Sequence, residues 1–229
     1  MLQRIVVTGG TGLLGTALQK IMKGIYLSHS DVDIRDEESV KRCFKKLKPD
    51  IVVHLAANIK TIMNQEEMQV SYDTNVLGTR NVAKYSPKMF YMSTEYVFDG
   101  TKGNYKETDY PNPLQFYGLT KLLGEYECRY CSDYVIARAI LKPRPYKHAV
   151  VPKGMMTSGD YVEKIAQQIK TVIDNFDKMP NIIHIGTGRK LLKNLALETR
   201  EVGDIDIKIL PIHIPLDASL DLSLWNSLI

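Results

Sequence analysis

Ile5-Val6-Val7-Thr8-Gly9-Gly10-Thr11-Gly12-Leu13-Leu14-Gly15 is the stretch on which the fold turns. Ile5 to Val7 form a short β-branched run, suited to a buried strand. Gly9, Gly12 and Gly15 follow in G-x-x-G-x-x-G spacing, and Leu18, Ile21 and Met22 then recur at helical intervals. Strand, glycine turn and helix in that order make a variant of the dinucleotide fingerprint. Its physical needs are a tight turn, close backbone approach to a pyrophosphate, and close packing of helix on strand. The helix expected over residues 12–23 would offer unpaired N–H groups and a positive dipole end to phosphate.

Strands and helices alternate from there. Strands are expected at about 3–8, 25–28, 51–55, 89–93 and 134–139, and helices at 12–23, 37–47, 66–85 and 115–131. That alternation predicts an α/β fold, a Rossmann-type doubly wound parallel sheet with right-handed crossovers. Asp36 is placed to cap the second helix and Pro49 to end it. After Ala139 the pattern changes, because Lys142-Pro143-Arg144-Pro145 suits neither a helix interior nor a central strand. The chain therefore divides into a dinucleotide-binding core, 1–138, and a substrate-side portion, 139–229. Within the latter, an amphipathic helix at 160–175 and a strand at 181–185 are expected to return to the main sheet. Residues 190–199 read as helix, 205–210 as strand, and the tail from Pro211 as turn-rich.

With 229 residues, 44% of them hydrophobic, the chain can bury a full core. The net charge of +4 is mild, and no basic block interleaved with aromatics points to nucleic acid. Lys41, Arg42, Lys45, Lys46 and Lys48 read as a solvated helix face. No apolar run approaches the ~20 residues of a membrane span, and the opening strand and glycine loop do not resemble a secretory signal. A cytoplasmic protein without membrane contact is expected. Cys128 and Cys131 have C-x-x-C spacing, but no second Cys/His pair follows; with Cys43 they read as reduced thiols, and no metal centre is expected.

Chemistry concentrates in Ser93-Thr94-Glu95-Tyr96-Val97-Phe98-Asp99-Gly100 and Tyr117-Gly118-Leu119-Thr120-Lys121. On a helix, Tyr117 and Lys121 share one face. A fixed cation near a phenol is expected to lower its pKa, making Tyr117 a proton carrier near neutral pH. The long connection from Tyr96 to Leu114 is expected to be a functional loop over the site.

These two motifs, in this order, resemble the extended short-chain dehydrogenases/reductases that act on nucleotide sugars, and most closely the dTDP-4-dehydrorhamnose reductase family. Further matching pieces are Val32 to Asp36, Lys48 to Ala57, Asn75 to Thr79 and Glu107 to Leu114, so the resemblance covers residues 1 to about 140. It implies an NAD(P)H-dependent reductase of a 4-keto-6-deoxy nucleotide sugar. Tyr117 would be the proton donor, Lys121 its partner and holder of the nicotinamide ribose, and Thr94 a hydrogen-bond donor to the same carbonyl, with Ser93 the substitute if the register differs by one. Gly9, Gly12, Leu13, Leu14 and Gly15 would meet the pyrophosphate. Asp33 and Ile34 would meet the adenine, and Ala56, Ala57 and Asn58 would run beside the cofactor. Asn75 is open between structural and catalytic roles, and His54 reads as a packed core histidine.

Ser28-His29-Ser30-Asp31, where the cofactor's ribose is chosen, leans to NADP(H) with NAD(H) tolerated. Lys142, Arg144, Lys147, Arg189 and Lys190 are the cations available to a nucleotide-sugar pyrophosphate. Arg138 is followed by Ala139-Ile140-Leu141 rather than the family's aromatic-rich stretch. The resemblance also implies a homodimer through the helices at 66–85 and 115–131. The alternatives are an epimerase or dehydratase of the same superfamily, or a non-catalytic regulatory subunit like the β-subunit of methionine adenosyltransferase.

Overall fold

In the computed structural model, residues 3–210 and 213–229 are described. The core runs β1 (Ile5–Thr8), α1 (Leu13–Gln19), β2 (Ile25–Leu27), α2 (Glu37–Leu47), β3 (Ile51–His54), α3 (Gln65–Tyr72), α4 (Gly78–Lys84), β4 (Met89–Thr94), α5 (Phe116–Glu127) and β5 (Tyr134–Ala139). The second part holds β6 (Leu141–Lys142), β7 (Val150–Pro152), β8 (Met156–Thr157), β9 (Asp160–Tyr161), α6 (Val162–Asp174), β10 (Ile182–His184), β11 (Lys190–Leu191), α7 (Leu192–Leu197), β12 (Gly203–Ile205) and α8 (Ser223–Leu228).

The main sheet is six-stranded and parallel, in the order β10-β5-β4-β3-β1-β2. Both faces are covered, so each strand buries successive side chains in opposite directions. Val7, Ile51, Val53, Phe90, Val135 and Ala137 face α1 and α6. Val6, Val52, Met89, Tyr91 and Ile136 face the layer containing Val40, Phe44, Val82 and Ala83. Each such aliphatic side chain contributes on the order of 1.5–3 kcal/mol when fully buried. β10 pairs parallel with β5, and α6 packs beside α1, so this segment of the second part completes the Rossmann layer.

Local chemistry sets the helix ends. Asp36 accepts from the Glu38 N–H at the start of α2, and Lys48 closes that helix in the left-handed region at φ 49°. Asn64 and Glu67 form a reciprocal capping box on α3. Helix α1 is shorter than its periodicity predicts. Beyond Gln19 the turns tighten, with Lys20 N–H on Ala17 O and Ile21 N–H on Leu18 O. The predicted helix 66–85 contains a π turn at Asp73–Leu77, where the Gly78 N–H reaches back to Asp73 O.

The remaining short strands form a lobe over the C-terminal ends of β4 and β5. Strands β6 and β9, β8 and β11, and β7 and β12 pair in two-stranded sheets. Tyr146, Val151, Met155, Tyr161, Leu192 and Leu195 build its core. The strand predicted at 205–210 lies earlier, at Gly203–Ile205, and gives way to a 3-10 turn at Ile207–Ile209 because the Asp206 side chain caps that turn. The tail predicted to be turn-rich begins at Pro211, which with Ile212 lies outside the described residues. Further on it forms α8, which buries Trp225 against the core.

Gly15 makes the strand–helix approach possible. A Cβ there would lie 2.5 Å from Gly9 O and 2.6 Å from Gly10 O. Both are backbone atoms and cannot swing aside. Gly15→Ala is expected to destabilise the protein by about 1–3 kcal/mol, the usual penalty for overpacking. Urea unfolding monitored by circular dichroism reads this; an unchanged midpoint would mean that the turn can relax.

Candidate active site

A cleft of about 420 Å3 opens above the C-terminal ends of β1, β2 and β3. Gly9, Gly12, Asp33, Ile34, Ala56 and Ala57 line it. Gly9 adopts φ +72°, and a Cβ on it would meet Ala56 N at 2.6 Å, so only glycine allows the two loops to touch. Leu13 is exposed, while Leu14 is buried in the core and Gly15 against the turn. Asn58 stands behind the cleft, with its N–H donating to Asn75 Oδ1 at 2.8 Å and its carbonyl accepting from Asn75 Nδ2 at 2.9 Å. The same Nδ2 donates to Thr120 Oγ1 at 2.9 Å. Asn75, buried in the π turn, therefore braces the post-β3 loop against α5.

At the far end of the cleft the structure supplies a residue that sequence reasoning missed. Arg35 grips Asp33 with Nε on Oδ1 at 2.9 Å and Nη2 on Oδ2 at 2.7 Å, and the same Nη2 lies 3.3 Å from His29 Nε2. That grip holds the Asp33 carboxyl down at about 2. Ser28 donates both its N–H (2.8 Å) and its hydroxyl (2.5 Å) to Asp31. His29 and Arg35 both line the cleft. Arg35 escaped attention because it lies well beyond the second strand; only the return of the chain after Val32 sets it beside His29.

Strand β4 and helix α5 carry the predicted catalytic residues Thr94, Tyr117 and Lys121. Thr94 and Ser93 sit on opposite faces of β4. The Ser93 hydroxyl donates to Glu125 Oε1 at 2.5 Å, and Glu125 is held by Arg138 through Nε at 2.9 Å and Nη2 at 2.7 Å. Ser93 is thus occupied behind the sheet, and Thr94, whose Oγ1 accepts from the Tyr96 N–H at 3.2 Å, is the hydroxyl left on the Tyr117 side. Lys121 is buried, with Nζ 4.0 Å from the centroid of the Tyr91 ring. No carboxylate lies within ion-pair distance of it among the described residues.

The expected lowering of the Tyr117 pKa is corrected here. Burial pushes the phenol up to about 12, with the Thr94 hydrogen bond opposing, and pushes Lys121 down to about 7. Exclusion of water penalises both charged forms, and no lowering of the phenol by Lys121 offsets it. His54 is buried between Thr8 and Thr79 and neutral, its pKa forced to about 3 by burial and then by the charge of Lys121.

A second cavity, about 270 Å3, lies between the core and the small lobe, lined in part by Thr61, Tyr96, Lys142, Tyr146 and His148. The Tyr96 ring meets Tyr117 edge-on at 6.4 Å between centroids, which sets this cavity beside the phenol. Burial lowers the Lys142 pKa and raises that of Glu95, each opposing the other. The other predicted phosphate cations are differently placed. Arg189 is bound to Asp217 at 2.6 Å, Lys190 to Asp160 at 3.2 Å, and Arg144 lies over the Tyr161 ring at 5.0 Å. The loop after Tyr96 is pinned rather than free. Phe98 stacks on Tyr105 at 4.3 Å, and Tyr105 bonds the tail through its N–H to Ser219 O and its carbonyl to the Asp221 N–H. Cys43, Cys128 and Cys131 are free thiols. No described helix is long and apolar enough to cross a membrane.

Compared with known proteins, residues 3–141, more than half of the chain, match the model of the RmlD substrate binding domain. The chain belongs to that family. Among curated relatives, methionine adenosyltransferase 2 subunit beta of Xenopus laevis is 32% identical over 193 residues, 77% of this chain and 53% of its own length. The dTDP-4-dehydrorhamnose reductase of Aggregatibacter actinomycetemcomitans is 37% identical over 135 residues, 53% of this chain and 45% of its own. This RmlD-family chain therefore spans about half the length of the curated relatives it matches. The fold is that of the dTDP-4-dehydrorhamnose reductase from Bacillus anthracis, solved in complex with NADP, at a TM-score of 0.89 and 23% identity, covering 99% of this chain and 93% of that one.

The displaced Lys121 pKa has a measurable consequence. Below about 7 the lysine is charged in both folded and unfolded chains, and the folded protein bears the full burial penalty. From there up to the ordinary value of 10.5 the unfolded chain holds the extra proton, so this group makes stability rise with pH. Lys121→Met is expected to raise the urea midpoint more at pH 6 than at pH 9. Equal changes at both pH values would show that Lys121 titrates normally.

Proposed function

We propose that this chain is an NAD(P)H-dependent reductase of a 4-keto-6-deoxy nucleotide sugar. The observation that carries the reading is the packing of β4, which ends at Thr94, against α5, which carries Tyr117 and Lys121, with the Tyr117 ring against Tyr96 of the cavity bearing Lys142 and the glycine-turn cleft in the same fold. A bound nicotinamide would supply hydride to the keto carbon. Tyr117 gives its phenolic proton to the carbonyl oxygen as that oxygen becomes an alcohol. A phenol held at about 12 is protonated at neutral pH, the state a donor needs. Thr94 hydrogen-bonds the same oxygen. Lys121, without a carboxylate, is left to bond the ribose hydroxyls and the phenol.

The turn at Gly9, Gly12, Leu13, Leu14 and Gly15 holds the pyrophosphate through its backbone, Asp33 and Ile34 the adenine end, and Ala56, Ala57 and Asn58 the nicotinamide side. Arg35, His29, Ser28 and Ser30 favour NADP(H), since a guanidinium suits a 2′-phosphate. The Lys142 cavity receives the sugar nucleotide, and the protein acts in the cytoplasm as a homodimer.

A second reading, a nucleotide-binding regulatory subunit, is favoured by the longer span of similarity to methionine adenosyltransferase 2 subunit beta. Oxidation of NADPH and NADH with a panel of 4-keto-6-deoxy nucleotide sugars separates the two. Turnover that falls at least ~100-fold in Tyr117→Phe, in line with the usual worth of a general acid, supports the reductase. Tight NADPH binding with no turnover on any sugar favours the regulatory subunit. Arg35→Ala is expected to raise the NADPH dissociation constant about tenfold, the loss of one charge-assisted bond, and to leave that of NADH within twofold. Equal effects on both cofactors would remove Arg35 from the 2′-phosphate.

A further inference from the structure

One chain of buried hydrogen bonds joins the two ends of the site. Thr79 Oγ1 lies 2.7 Å from Asn75 O, and a carbonyl can only accept, so the single hydroxyl proton of Thr79 is committed there. His54 Nε2 lies 3.1 Å from the same Oγ1, which must therefore accept from it. The imidazole then carries its proton on Nε2, and Nδ1 is left as the acceptor. Thr8 Oγ1, 2.6 Å from Nδ1, is the donor. The sequence Thr8→His54→Thr79→Asn75 thus has one direction and one tautomer. It continues through the Asn75 side chain to Asn58 and to Thr120, whose hydroxyl donates to Tyr117 O at 2.8 Å. Thr8 lines the glycine-turn cleft, and Thr120 directly precedes Lys121. Thr8, His54, Asn75, Thr79 and Thr120 are all buried, so each bond broken leaves a group without water to replace its partner.

We propose that His54, fixed as the Nε2–H tautomer, is a positioning residue that couples the cofactor turn at Thr8 to the helix carrying Tyr117 and Lys121. This rests on the reductase reading for its effect on turnover, though not for its effect on cofactor binding. His54 touches neither cleft nor substrate and acts through Thr8 and Thr79.

Two measurements on the full chain test it. Long-range 1H–15N correlation of the histidine-labelled wild-type protein reads the tautomer directly. A protonated Nε2 with bare Nδ1 is expected; the opposite tautomer overturns the proposal and requires no variant to fold. Kinetics of two variants, each checked for a native circular dichroism spectrum, read the coupling. His54→Phe is expected to raise the NADPH dissociation constant about tenfold and to lower kcat at saturating NADPH about tenfold, roughly one buried hydrogen bond on each side. His54→Asn keeps an acceptor for Thr8 but cannot reach Thr79. It is expected to bring the NADPH constant back within threefold of wild type while kcat stays low. A purely packing role would lower thermal stability and leave kcat at saturation within twofold in both variants, which overturns the proposal. If no sugar turns over even in the wild type, the reductase reading fails, while the tautomer and the pattern of NADPH constants still decide the role of His54.

Discussion

The site is organised around a buried ammonium with only an aromatic face beneath it. Moving Lys121 from 10.5 to about 7 corresponds to roughly 5 kcal/mol against its charged form. The contact with Tyr91 returns about 2 kcal/mol. The difference is carried by the sheet, whose doubly covered strands hold α5 in place through apolar packing on both layers. Much of the surrounding polar structure follows from keeping that helix in register. Glu125 ties it to Ser93 and Arg138 behind the sheet, while Asn75 ties it to the loop after β3. The burial that makes Lys121 expensive also keeps Tyr117 protonated, so one dehydrated environment sets the ionisation of both partners.

The fold was legible because it depends on short-range signals. The glycine turn, the apolar runs and the cap at Asp36 are all local, and the parallel order follows from alternation. Thr94 was read ahead of Ser93 from the family pattern alone, since the physical reason, which face of β4 meets α5, belongs to the assembled sheet. The sign of the Tyr117 shift escaped for a related reason: spacing reveals that a cation is near, but burial is a property of the assembled molecule. Arg35 was hidden by distance along the chain from the second strand, although it stands beside His29. The second part was least readable. Its two- and three-residue strands have no periodicity to detect, and their pairing is set by the Pro-rich turns and the Tyr146–Leu195 core.

That second part also divides the work of the molecule. Helix α6 and strand β10 complete the Rossmann layer, whereas the small sheets cap the C-terminal ends of β4 and β5. Tyr96 belongs to the core by sequence and packs against the lobe. It leaves the Tyr117 phenol at the seam between the glycine-turn cleft and a cavity, where each wall comes from a different part of the chain. The span matching the RmlD family supplies the first wall, and residues beyond that span, Lys142 among them, contribute to the second.

The π turn at Asp73–Leu77 sets the phase between the helix before it and the helix after it. It holds one residue more than a regular helix would use for the same rise. Excising that residue would restore an unbroken helix but rotate everything beyond it by about 100°. Thr79, Val82 and Ala83 would then leave the sheet, and Asn75 would leave Asn58 and Thr120. The extra residue therefore works as a phase shift, letting the two halves of one helix serve different neighbours.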